Sequence, residues 1–365
     1  MKITFCVHGC AIKPIGGHKI IYEYANRLAE AGHTVHVVFV SYDNLYQLPL
    51  PVGIRVGLLR ILTDKTRILP GWFQFNPQVN IRTVRDYQSS NFPDADAVIA
   101  TAAETANPVA QLPERCGSKF YLIQDYETWT MEAEKVDDTF CLGLTPIVVS
   151  NWLAELVEKK SSAKAFIVSN PINLDVFHVS RPIEQRMDHT IGLLWHADPK
   201  KGLKTAFGAL EIAHQQFPDL RVKVFGATKP NQTLPRWMEF VFRPAPDALQ
   251  KLYNSCSIYL CATEYEGFGL TGAESMACGC LLVSTNYLGV HEYAKDRSNA
   301  LLSNVGDAQA LANHIKEAFQ NPALRIQLAS QGAKDLQKRR WTIAVQKFER
   351  ILQETTEQFK GEMVL

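Results

Sequence analysis

Glu264-Tyr265-Glu266-Gly267-Phe268-Gly269-Leu270-Thr271-Gly272-Ala273-Glu274 runs directly into Ser275-Met276-Ala277-Cys278-Gly279. Residues 258–262 before it and 280–284 after it are apolar runs of strand length, and 271–278 carry helical spacing. Strand, glycine-rich turn, helix and strand in that order imply a parallel pair with a right-handed crossover. The turn offers backbone N–H groups and the helix start adds a positive dipole end, a good place for phosphate. Glu266 and Glu274, eight residues apart, would repel phosphate. They suit hydroxyl donors, as on a sugar or a ribose. Phosphate and polyol together point to a sugar nucleotide.

The same alternation extends in both directions. Residues 3–8 form an apolar strand and 9–18 a loop holding Gly16-Gly17. Ile20, Ile21, Tyr24, Ala25, Leu28 and Ala29 then recur at helical spacing, and 34–40 is the next strand. Residues 97–100, 120–123 and 146–149 are further buried-strand candidates. The turn-rich segment 169–177 closes this half. Strands at 190–195 and 221–225 and helices at 204–216 and 249–254 lead back to the opening stretch. Helices at 307–320, 322–338 and about 342–356 follow. The expectation is an α/β chain of two Rossmann-like, doubly wound domains facing a central cleft. Residues 1–178 would form the first domain and 179–341 the second, with a C-terminal helix of about 342–360 packed back on the first.

Length and composition fit this. A chain of 365 residues with 46% apolar content is long enough for two cores. Lys and Arg at 38 against Asp and Glu at 37 give no overall field for nucleic acid, so any anion site is local. The eight cysteines lack paired CxxC spacing, and no run approaches the ~20 apolar residues of a membrane span. A cytoplasmic protein with reduced thiols is expected.

Glu266 and Glu274 with their surroundings resemble the E-x7-E signature of the retaining glycosyltransferase family 4, part of glycosyl transferases group 1, of GT-B fold. Gly16-Gly17, Ser150, Asn170-Pro171 and Lys201-Gly202 fit the same order. The resemblance implies that Glu274 holds the ribose hydroxyls and Glu266 the donor sugar. Gly267, Phe268 and Gly269 make the turn, with N–H groups of Phe268 and Gly269 helping Glu266. Leu270 and Thr271 N–H groups meet ribose or diphosphate. Lys201 neutralises the diphosphate as its charge grows. Gly16 and Gly17 let backbone approach phosphate or acceptor, and the base lies near Phe242 to Pro244. Asp125, in Gln124-Asp125-Tyr126-Glu127, takes the place of a histidine that contacts the donor sugar, with Glu127 near the acceptor. One departure stands out: His196 occupies the position of an arginine, and Lys200 or Arg243 would supply the missing charge.

Structural readings compete with these roles. Thr271-Gly272-Ala273-Glu274 is also a capping box for its own helix. Asp125 and Glu127 also suit capping of the next helix. Asp94-Ala95-Asp96 is read as a strand start and not a metal site, because two oxygens underdetermine a hard cation. The implied activity is transfer of a hexose, with glucose from UDP-glucose preferred, to a glycan or lipid-linked saccharide acceptor, without metal or other cofactor. A sugar-nucleotide epimerase and a non-catalytic nucleotide-sugar-binding protein are the alternatives. A NAD dehydrogenase is disfavoured because no Gly-x-Gly-x-x-Gly follows the first strand. Lys65, Arg67 and Arg82 near Leu69, Trp72 and Phe73 also suggest a peripheral contact with the inner face of a membrane.

Overall fold

All strand pairs among the described residues are parallel. The computed structural model describes residues 1–11, 13–40, 51, 54 and 70–362. It divides into two units, Met1–Ser169 with Ala344–Leu365, and Asn170–Ile343.

Unit 1 holds a seven-stranded sheet in the order β3-β2-β1-β4-β5-β6-β7. Its strands are β1 (Lys2–His8), β2 (Thr34–Val40), β3 (Asn80–Val84), β4 (Ala97–Ala100), β5 (Ser118–Ile123), β6 (Thr145–Val148) and β7 (Phe166–Ile167). Helices α1 (Gly16–Glu30), α2 (Ala103–Ala110), α3 (Ala133–Phe140) and α4 (Asn151–Ser161) connect them. Central strands such as Ala97-Val98-Ile99-Ala100 are buried throughout, as a parallel sheet covered on both faces requires. The last helix, α10 (Trp341–Glu362), begins in unit 2 and continues in unit 1. There Phe348 is fully buried and its ring lies 6.3 Å from Phe5 and 4.5 Å from Tyr24, stacked on both.

Unit 2 holds a six-stranded sheet in the order β10-β9-β8-β11-β12-β13. These strands are β8 (Thr190–Leu194), β9 (Arg221–Gly226), β10 (Met238–Phe242), β11 (Ile258–Cys261), β12 (Leu281–Thr285) and β13 (Ala300–Ser303). Its helices are α5 (Leu203–Gln216), α6 (Pro246–Asn254), α7 (Leu270–Ala277), α8 (Ala308–Gln320) and α9 (Pro322–Leu336). Local chemistry sets their ends. Asp307 caps α8 by accepting the Ala310 N–H, and Asn321 caps α9 by accepting the Leu324 N–H with Pro322 at the first helical position. Ala206, Ala209, Leu210 and Ala213 of α5 make the buried stripe that meets Ile191, Val222 and Leu311 in the core.

The fold differs from the sequence reading in a few places. The edge strands β3, β10 and β13 and the short β7 are absent from the sequence reading. Gly16 and Gly17 are not in a loop but are the first two residues of α1, because Ile15 already takes the extended cap conformation. Asp94 pairs with Arg115, and Asp96 accepts the Lys2 N–H, which joins the starts of the central strands β1 and β4. No helix among the described residues is long and apolar enough to cross a membrane. Of the basic and aromatic cluster, Lys65, Arg67 and Leu69 lie outside the described residues. Trp72 and Phe73 pack on Tyr22 at 5.7 and 5.2 Å, and Arg82 donates to the Asn91 carbonyl.

Candidate active site

In each sheet the strand order reverses once, and ligands of doubly wound folds bind beyond the strand ends at such a point. In unit 2 the reversal falls between β8 and β11, paired in register Leu193 to Leu260. The loops after both strands therefore leave the same edge side by side.

The first of these loops is a compact turn. The Asp198 carboxylate accepts the Lys200 N–H at 2.9 Å and folds Pro199–Lys201 into a single helical turn. Gly202 then adopts a left-handed conformation, φ 65°, where a Cβ would sit 1.8 Å from the Ala262 carbonyl oxygen. That approach seats Lys201 against the loop after β11, and the Glu264 N–H donates to the Lys200 carbonyl at 2.7 Å. Lys201 Nζ lies 2.8 Å from Glu266 Oε1, with the two side chains only 19 and 26% exposed. Two residues separated by 65 positions are thus joined at the reversal point.

Past Glu266 the chain turns at Gly269, φ 97°, which caps α7. A Cβ there would lie 2.0 Å from the Tyr287 hydroxyl and 2.7 Å from that of Tyr293. The Tyr293 hydroxyl donates to the Gly269 carbonyl at 2.9 Å and meets Tyr287 at 2.7 Å. The first bond within α7 is Ala273 N–H to Gly269 carbonyl, so the N–H groups of Gly269, Leu270, Thr271 and Gly272 have no acceptor inside the helix. The capping box expected at Thr271 does not form. The helix begins at Leu270, Thr271 is already helical, and Glu274 stands in the second turn, 7% exposed. Gly267 and Phe268 are buried, and the Arg339 guanidinium rests over the Phe268 ring at 5.5 Å.

His196 accepts the Asp198 N–H on Nδ1 at 3.1 Å, which places its proton on Nε2. Burial first, and the Lys201 charge second, hold its pKa below the ordinary value against the opposing pull of Asp198 and Glu266. It is a neutral donor at neutral pH. Of the two candidates for the missing charge, Lys200 lies near, its Nζ 5.5 Å from the centre of the Tyr265 ring. Arg243 stands elsewhere on the sheet. It follows the edge strand β10, two strands and about 10 Å across the sheet from β8. There it donates to the Ala227 carbonyl and covers the Phe242 ring at 4.9 Å. Tyr287, Tyr293 and Arg339 were missed in the sequence, where nothing but their distant contacts marks them.

In unit 1 the reversal falls between β1 and β4, where α1 and α2 begin. The Gln124 amide donates to the Gly17 carbonyl at 3.2 Å, and an added methyl at Gly17 would touch nothing but Gln124, at 3.4 Å. Asp125 accepts the Tyr126 N–H at 2.9 Å. Glu127 accepts the N–H of Ala103, so it serves the start of the preceding helix α2 and not the next one. Burial, with Glu104 and Asp125 nearby, pushes its carboxyl up to about 8 although the Ala103 bond pulls the other way. His18 is held down to about 4 by burial and by His8.

Residues 184–335, nearly all of unit 2, match the family described as glycosyl transferases group 1. Over those residues unit 2 is similar to the group 1 glycosyl transferases. An uncharacterized glycosyltransferase of Methanocaldococcus jannaschii is 23% identical over 220 residues, which span 58% of this chain and 60% of that relative's length. The whole chain shares its fold with solved GT-B glycosyltransferases. Sucrose-phosphate synthase of Thermosynechococcus elongatus superposes with a TM-score of 0.78 at 15% identity, covering 98% of this chain and 100% of that one. HepE of Anabaena, crystallised in complex with UDP-glucose, superposes with a TM-score of 0.72 at 16% identity, covering 98 and 100%. The matched residues include Lys201, Glu266 and Glu274.

Proposed function

We propose that the chain transfers a hexose from a UDP-sugar, with UDP-glucose preferred, to a saccharide or lipid-linked saccharide acceptor in polysaccharide or glycoconjugate synthesis. The observation that carries this reading is the Lys201–Glu266 pair set immediately before the row of N–H groups at the start of α7. Cation and N–H row suit a diphosphate, and the carboxylates suit hydroxyls. The family match and the fold shared with a UDP-glucose complex support the donor class.

In this reading Glu274 holds the ribose and Glu266 the sugar. Lys201, Nε2–H of His196 and the α7 N–H groups stabilise the charge that grows on the leaving phosphate as the sugar–phosphate bond breaks. We read the stereochemistry as retaining: the acceptor oxygen approaches the face the phosphate leaves, and the phosphate takes the acceptor's proton. Charge is supplied by protein groups, so the proposed reaction asks for no metal. Release of UDP from UDP-glucose by wild type, reduced at least 100-fold in Glu266→Ala, is the expected result. A thermal shift with UDP and UDP-glucose but not NAD should accompany it. Equal shifts with no UDP release would replace the enzyme by a nucleotide-sugar-binding protein, the reading that neutral His196 favours.

A further inference from the structure

The ion pair poses a question that the proposed roles of its members leave open. Lys201 is assigned to the diphosphate, yet its ammonium is already held by a carboxylate 2.8 Å away. Both side chains are about three-quarters shielded from water or better, so the pair is a stronger contact than an exposed one. The neighbouring histidine adds no cation, because its Nδ1 is taken by the Asp198 N–H. A diphosphate must therefore compete with Glu266 for Lys201.

Resting on the donor reading above, we infer that Glu266 is an internal competitor that makes the site prefer an intact sugar nucleotide over the free nucleoside diphosphate. The physics is a difference between two bound states. When a diphosphate takes Lys201, the Glu266 carboxylate loses its cation and faces added negative charge. An intact donor offers sugar hydroxyls that donate to the released carboxylate and offset the loss. A free diphosphate offers none, so the carboxylate stays half-buried, unpaired and repelled. Before transfer the pair is opened at little net cost, and after the sugar has left it re-forms and expels the product. Specificity here arises from an unpaired charge in the wrong complex, as in other discriminating sites. The backbone joins the two loops that carry these side chains: Gly202 is pressed on Ala262, and the Lys200 carbonyl accepts the Glu264 N–H.

The test is isothermal titration of UDP, UDP-glucose and inorganic pyrophosphate into the full chain, as wild type, Glu266→Gln and Lys201→Met. Glutamine keeps the size and can accept a hydroxyl hydrogen bond but neither pairs with Lys201 as an anion nor repels phosphate. UDP and pyrophosphate should bind Glu266→Gln about tenfold more tightly than wild type, the scale of a close charge-pair coupling. UDP-glucose should gain less, so that its preference over UDP shrinks, and UDP should become a stronger product inhibitor. Lys201→Met should weaken all three ligands. If wild type binds UDP and Glu266→Gln, melting as wild type does, binds it no more tightly, the competitor role is overturned while the donor reading stands. If neither protein responds to UDP or pyrophosphate, the donor reading falls and takes the inference with it.

Discussion

The two reversal points of the sheets are built alike and charged differently. In unit 2 the loops after β8 and β11 bring together a formal cation and anion, Lys201 and Glu266, beside the start of α7. In unit 1 the equivalent place, where α1 and α2 begin, holds a carboxyl raised to about 8 and an imidazole lowered to about 4, both neutral near pH 7. A doubly wound frame fixes where a ligand sits, but the side chains at the strand ends decide which chemistry it meets. Charges kept in place suit a phosphorylated donor. Neutral groups poised to gain or lose a proton suit hydroxyls.

The largest expected break in this contrast is steric. Gly269→Ala would force a methyl to within contact distance of two tyrosine hydroxyls at a left-handed residue. It should cost about 2–4 kcal/mol in unfolding experiments and abolish UDP binding. Gly17→Ala, the matching change in unit 1, should leave stability unchanged or slightly raised, by about 0.5 kcal/mol, since alanine is the better helix former. A Gly269→Ala protein as stable as wild type would show that the turn of unit 2 is not held in advance by the tyrosines.

Next comes pH. Glu127 has its folded pKa raised from 4.5 to about 8, so its contribution is full below pH 4.5 and is lost as pH rises toward 8. His18 runs the other way, with a folded pKa of about 4 against 6.5 unfolded. Its contribution is full above 6.5 and is lost as pH falls toward 4. Glu127→Gln should therefore flatten the decline in melting temperature between pH 5 and 8 and leave the acid side unchanged. An unaltered slope would mean that Glu127 titrates as an ordinary surface carboxylate.

The smallest effect concerns His196. Because it is a neutral donor, UDP affinity should vary less than about threefold between pH 6.5 and 8.5, and His196→Gln should stay within the same range. A tenfold gain on moving down to pH 6.5, lost in His196→Gln, would make it a working cation.

Much of this was legible in sequence because it is local. The alternation around residues 258–284 gave β11, α7 and β12, since apolar runs in a parallel sheet are buried on both faces. Edge strands were not legible. Asn80-Ile81-Arg82-Thr83-Val84 and Met238-Glu239-Phe240-Val241-Phe242 each have one neighbour and mix polar with apolar residues, so their pattern resembles a loop. The capping box at Thr271 failed for a related reason. Its spacing is right, but Tyr287 and Tyr293 favour a glycine cap two residues earlier. Lys201 and Glu266 could be chosen from their motifs, whereas their pairing depends on Gly202 meeting Ala262, a contact that no local pattern encodes.

The last helix has a consequence for how the chain is made. Unit 2 is continuous, 170–343, and can complete its core as soon as it has left the ribosome. Unit 1 cannot, because the ring that covers Phe5 and Tyr24 belongs to Phe348, which is synthesised after all of unit 2. Residues 1–169 emerge before unit 2 and are completed after it, and until then they leave uncovered the aromatic surface that Phe348 meets.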